Sequence, residues 1–212
     1  MSALDTLAAA MRRLAHPRVL AVAGTVYVAF AAAFFATSLP FAIPRVTELC
    51  GAPPPDLRFF TSAAGVQEFL SGCGPAGRLG YQHLQQADLL YPAAFALVAA
   101  SALAMLLVRV TRPGSRWLAL AALPLLGSAF DYLENASAWV ALARFPGSAG
   151  PASSLLGMAS AAKNVASWAA MALLVGLLVA VPVLVGRRAL ARRRSAGTQS
   201  AASEANVPAR LG

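Results

Sequence analysis

Charge is scarce in this chain of 212 residues: Asp, Glu, Lys and Arg make up 12% of it, against 58% hydrophobic residues. Soluble domains carry about 25% charged residues, so a water-facing globular surface is excluded and an all-α integral membrane protein is expected. Histidine and cysteine are equally thin, with two of each. His16 and His83 are expected on opposite sides of the membrane, which argues against haem, and no histidine cluster or repeated Cys-x-x-Cys pair points to zinc or redox chemistry. No nucleotide-binding motif is present. The reading is therefore of a protein without cofactor, in which Asp88, Asp131 and Glu134 could supply oxygens to magnesium or calcium only against the competing charge of Lys163. Lysine is the rarest basic residue: Lys163 stands alone, and every other positive side chain is an arginine.

What the chain does have is long apolar runs. Four windows are long enough to cross a bilayer, at about 19–39, 88–110, 117–143 and 156–185, and they predict a four-transmembrane-helix bundle as a membrane domain over 1–186. A net charge of +9 would suggest nucleic acid in a soluble protein. Here the arginines flank apolar spans, where orientation and anionic lipid account for them, so no nucleic-acid partner is expected. Arg12, Arg13 and Arg18 precede the first span, Arg109, Arg112 and Arg116 surround the turn between the second and third, and a run from Arg187 follows the fourth. That bias places both termini in the cytoplasm. The alanine and arginine content fits a high-GC bacterial source, hence a multi-pass protein of the bacterial cytoplasmic (inner) membrane. Residues 187–212 read as a basic, disordered cytoplasmic tail.

The extracytoplasmic loop, 40–87, holds Cys50 and Cys73, which outside the cytoplasm can form a disulfide that caps the bundle. Within it, 56–74 has apolar residues at helical spacing and predicts an amphipathic helix bearing Phe59, Phe60, Val66, Phe69 and Leu70, packed into the cap or lying on the membrane surface. In the third span Pro124 predicts a kink that leads toward Asp131.

The polar residues inside the spans carry the functional reading. An ionised carboxylate at bilayer depth costs at least about 2.5 kcal/mol, so Asp131, Glu134 and Asn135 must face protein or a wet cavity. Antiparallel helices bring Asp88, Asp131, Glu134 and Lys163 to similar depths in the outer half of the bundle. Tyr91, Asn135, Asn164 and Trp168 are positioned to orient a substrate around them. More carboxylates than cations, in a lipid-accessible cavity, is the arrangement that general acid–base catalysis uses. The expected activity is isomerisation, cyclisation or hydrolysis of a hydrophobic small molecule, a lipid or isoprenoid, with membrane lipid as the surrounding partner. Two alternatives stand beside it. The cluster can be a buried polar network in a non-catalytic scaffold or complex subunit, or part of a proton-coupled transporter, in either case as a homo-oligomer or with another membrane protein.

Overall fold

The computed structural model describes residues 2–147 and 150–205, with 188–205 as helix backbone alone. No strand occurs among the described residues. Helix α1, Ala3–Leu14, starts from a capping box in which Ser2 and Asp5 satisfy each other's backbone N–H groups. Arg116 reaches back to Asp5 at 3.1 Å and ties this helix to the middle of the chain. Proline sets the first turn of α2 (Pro17–Ala36), α3 (Ile43–Cys50), α5 (Gly74–Ala87), α6 (Tyr91–Val110) and α7 (Leu123–Arg144), where its missing N–H has no partner to lose. Ser62 caps α4, Ala63–Gly72, through Gly65 N–H. Helix α8, Pro151–Ala205, is the longest element.

Three helical stretches are long and apolar enough to cross a membrane: Pro17–Ala36, Gly74–Val110 and Pro151–Arg187, whose most apolar 18-residue windows have mean hydropathies of 2.2, 2.2 and 2.6. The third span expected from sequence, 117–143, differs in two ways. Its first residues belong to a 3-10 segment, Arg116–Ala122, and only Leu123–Arg144 is α-helical. Pro124 thus falls in the first turn of α7 and kinks nothing. The remaining α-helix contains Asp131, Glu134 and Asn135, which keep α7 out of the apolar set. Its 22 residues still extend about 33 Å at 1.5 Å per residue. At the other end of the chain, α8 runs past Arg187 to Ala205, where a disordered tail was expected. Alanine and arginine dominate that stretch, and both favour helix. Residues 206–212 lie outside the described residues.

Helix α6 occupies the middle, touching α1, α2, α7 and α8, while α7 and α8 lie along each other. Two apolar clusters form at opposite ends. One surrounds the Cys50–Cys73 disulfide and includes Phe34, Val46, Phe69, Leu70, Tyr81 and Leu156. The other joins Met11 of α1 to Leu103, Leu107, Leu118 and Ala170. Along α7 and α8, the charged residues fall between these two clusters.

The disulfide closes the cap as expected. Gly77 is required beside it, because a Cβ there would lie 2.9 Å from Cys50 Sγ. The predicted amphipathic helix is helical only from Ala63. Val66, Phe69 and Leu70 are buried in the cap, whereas Phe59 and Phe60 are 48% and 53% exposed on an irregular strap. The strap begins with a 3-10 turn, Pro55–Leu57, and lies along α8. Asn164 Nδ2 donates to Arg58 O at 3.5 Å, and Phe59 stacks on Trp168 with centroids 5.3 Å apart. Gly157 permits the approach, since a Cβ there would run into Thr61 O and stand 3.0 Å from the Phe60 ring. Trp168 lies seventeen residues beyond the start of α8 at Pro151, about 25 Å along the helix. The strap therefore descends far below the cap.

Candidate functional site

Lys163 is the hub. Its ammonium pairs with Glu134, lies 3.3 Å from Asp131 Oδ1, and donates to the backbone oxygen of Asp56 at 3.3 Å. Glu134 is fully buried. One of its oxygens takes the Lys163 N–H and the other takes the Ser160 hydroxyl. The i, i+3 spacing of Asp131 and Glu134 puts both carboxyls on the face of α7 that meets α8, and Ser160 and Lys163 repeat that spacing on α8. Two helices with matched polar faces thus satisfy each other across their seam.

Asp88 sits where α5 gives way to α6, at a break that frees its side chain to reach α7. Asn135 Nδ2 donates to Asp88 Oδ2 at 2.8 Å. Ser128 and Tyr132 hold the start of α6 against α7 through Pro92 O, at 2.7 Å, and Leu89 O, at 2.9 Å. Tyr91 donates its hydroxyl to that of Tyr27 on α2 at 3.2 Å.

A fourth carboxyl was missed by the sequence reading. Asp56, on the strap, is 8% exposed and accepts from Tyr81 Oη at 3.2 Å and Gln85 Nε2 at 3.3 Å. Burial pushes its carboxyl above the usual range, opposed by the charge of Lys163. The signal was present in α5: Tyr81 and Gln85, at i and i+4, form a buried polar pair on an inward face, which needs an acceptor from another part of the chain.

These groups surround a cavity of about 70 Å³ lined by Asp56, Asp88, Asp131 and Lys163 on its polar side and by Phe34, Phe35 and Tyr91 among its apolar walls. It has room for a few waters or the end of a larger molecule. Glu134 is not among the lining residues. Among the described residues, Asn135 Oδ1 and Gln85 Oε1 are buried acceptors without a donor, groups that normally find a partner.

Of the residues expected at the site, Asp88, Asp131, Glu134, Lys163, Tyr91 and Asn135 come together. Asn164 and Trp168 do not reach the cavity. Asn164 bonds the strap and Ser160 O, and Trp168 is 62% exposed beneath Phe59. Their polar and aromatic character serves the strap because the helix face they occupy is covered by it. Among the described residues, no group of three His, Cys, Asp or Glu side chains is arranged to hold a metal ion. No protein-family model matches the chain, and neither a curated protein nor a solved structure matches it.

Proposed function

We propose that the chain is a multi-pass protein of the bacterial cytoplasmic membrane, its termini cytoplasmic, in which α2, α6, α7 and α8 form a four-helix bundle. Within it, the cavity is the centre of an enzyme that uses carboxyl acid–base chemistry on a hydrophobic, lipid or isoprenoid-like substrate. One observation carries this reading: three carboxyl groups and one ammonium meet under an aromatic wall. Neutrality of a cluster with one lysine and four carboxyls requires protons on some of those carboxyls, and stored protons are what an acid catalyst supplies.

The geometry suggests a division of roles among the carboxyls. With both oxygens engaged and no cavity surface, Glu134 is the counter-ion that positions Lys163. Lys163 beside Asp131 neutralises a carboxylate there, which suits Asp131 to accept a proton. Asp88, held by Asn135 rather than by an ion pair among the described residues, is the donor. For an alkene substrate the balance is simple. Asp88 adds a proton to one carbon, and Asp131 removes one from the neighbouring carbon of the cation. The aromatic rings stabilise that cation in between.

The test is deuterium transfer. The purified protein, reconstituted with bacterial polar lipid and polyprenyl fractions in D2O, should place deuterium on carbon in one lipid class, read by mass spectrometry. Asp88→Asn and Asp131→Asn should abolish it while circular dichroism stays helical. If no lipid gains deuterium, or the variants match the wild type, the acid–base reading falls. A scaffold is the second reading, favoured by the small cavity and the complete pairing of Glu134; it predicts that those same substitutions alter stability alone. A transport path is less well supported, because the cluster around Leu103, Leu107 and Leu118 closes the α1 end.

A further inference from the structure

Helix α5 has two polar stripes, and the acid centre uses only one. Tyr81, Gln85 and then Asp88 face the interior. Arg78, Gln82 and Gln86 recur at i, i+4 and i+8 on another face, where they line a cavity of about 720 Å³ between α5 and the end of α7. That volume lies in the range of ligand pockets. Neither core packing nor lipid chains explain a guanidinium and two carboxamides along one groove.

The groove mixes polar and apolar side chains along its length. At the cap end, Arg78 donates one N–H to Leu70 O at 2.9 Å and lies 4.4 Å above the ring of Phe145, so its guanidinium is fixed in place. Among the described residues no carboxylate pairs with it. Further along, the amides of Gln82 and Gln86 are exposed, and opposite them stand Leu142 and Trp139, the latter 42% exposed. A fixed cation, two exposed amides and the apolar side chains of Leu79, Leu142, Phe145 and Trp139 along one groove are the groups that a phospholipid presents in complement: phosphate, ester carbonyls, acyl chain. Tryptophan at headgroup level fits the same placement.

We propose that this groove binds an anionic phospholipid, with its phosphate on Arg78 and its ester carbonyls on Gln82 and Gln86. The inference rests on the membrane reading above and not on the chemistry proposed for the acid centre, from which α5 separates the groove. A free phosphate ion would engage Arg78 and leave the apolar side chains of the groove uncovered.

Trp139 provides the readout. In a Trp117→Phe, Trp168→Phe background, quenching of Trp139 is measured in bilayers of dibrominated phosphatidylcholine into which dibrominated or unbrominated phosphatidylglycerol is titrated. Phosphatidylglycerol should be preferred roughly fivefold at the groove, because both lipids offer a phosphate but phosphatidylcholine adds a choline cation that offsets the attraction of Arg78. The preference should vanish in Arg78→Gln and in Gln82→Glu, and millimolar inorganic phosphate should leave it unchanged. Gln82 is exposed, so its substitution decides the matter should Arg78→Gln fail to fold. Equal quenching by both lipids in the parent, or an undiminished preference in Gln82→Glu, overturns the proposal. Competition by inorganic phosphate would mean a phosphate site without lipid specificity and would overturn it as well. Absence of quenching by either lipid would instead count against membrane embedding.

Discussion

Removing the charge of Lys163 should be the most damaging single change in the polar layer. The ammonium serves a fully buried Glu134, an Asp131 whose side chain is 16% exposed, and a backbone carbonyl. Breaking a buried ion pair costs about 3–5 kcal/mol, because the partner left behind has lost its compensation. Lys163→Met orphans two carboxyls together, and partial exposure of Asp131 screens one of them, so about 4 kcal/mol is expected. Glu134→Gln keeps an acceptor for Lys163 and a partner for Ser160, and should cost about 2 kcal/mol. Lys163→Met combined with Glu134→Gln removes both charges, and its loss should be about 3 kcal/mol rather than the sum of about 6 kcal/mol. Unfolding in mixed micelles with increasing dodecyl sulfate, followed by circular dichroism, gives the four stabilities. A coupling below about 0.5 kcal/mol would refute the account, since independent sites add to within that margin.

Two further outcomes follow from the strap. Gly157→Ala places a methyl against Thr61 O and the Phe60 ring, and overpacking of this kind costs about 1–3 kcal/mol. The displaced strap should also unstack Phe59 from Trp168, visible as a change in tryptophan emission that Gly176→Ala, with open space around it, does not produce. Asp56→Asn should change the pH dependence of stability. Burial raises the folded-state carboxyl above its usual value of 3.8, so the protonated form is the one that folding favours. The contribution of Asp56 is complete at acid pH and is lost as pH rises through the raised value. The wild type should therefore lose stability relative to Asp56→Asn as pH rises above 3.8, measured by the same unfolding titration. A difference that stays constant with pH would contradict it.

Much of the site was legible because helices impose rules that a sequence carries openly. Asp131 and Glu134 at i, i+3 had to share a face, a lone lysine in an apolar run had to find an acid, and antiparallel helices fixed their depth. The strap was not legible. Its residues lack periodicity, and Pro53, Pro54 and Pro55 announce a turn without telling where the chain goes next. Asp56 consequently received no assignment. Asn164 and Trp168 were placed on the correct face of α8 but assigned to a substrate, because nothing local shows that a backbone segment lies over them. The start of α7 was misjudged for a related reason: apolar content from Trp117 onward is continuous, while the change from 3-10 to α geometry depends on packing against α1 and α6.

The strap also bears on the order in which the molecule comes together during synthesis. Its hydrogen bonds to α8 join residues 107 and 106 positions apart, whereas the disulfide that anchors the cap closes over 23. The cap can therefore be oxidised while the ribosome is still making α6 and α7, but the strap has no surface to lie on until the last helix is delivered. Until then three of its future neighbours, Asp88, Asp131 and Glu134, are carboxyls without their lysine. Arrival of α8 supplies the cation, seats the strap and removes the acids from solvent in one event, so a nascent chain halted before Pro151 would carry a cap closed by its disulfide but lacking Leu156, above an unassembled acidic layer.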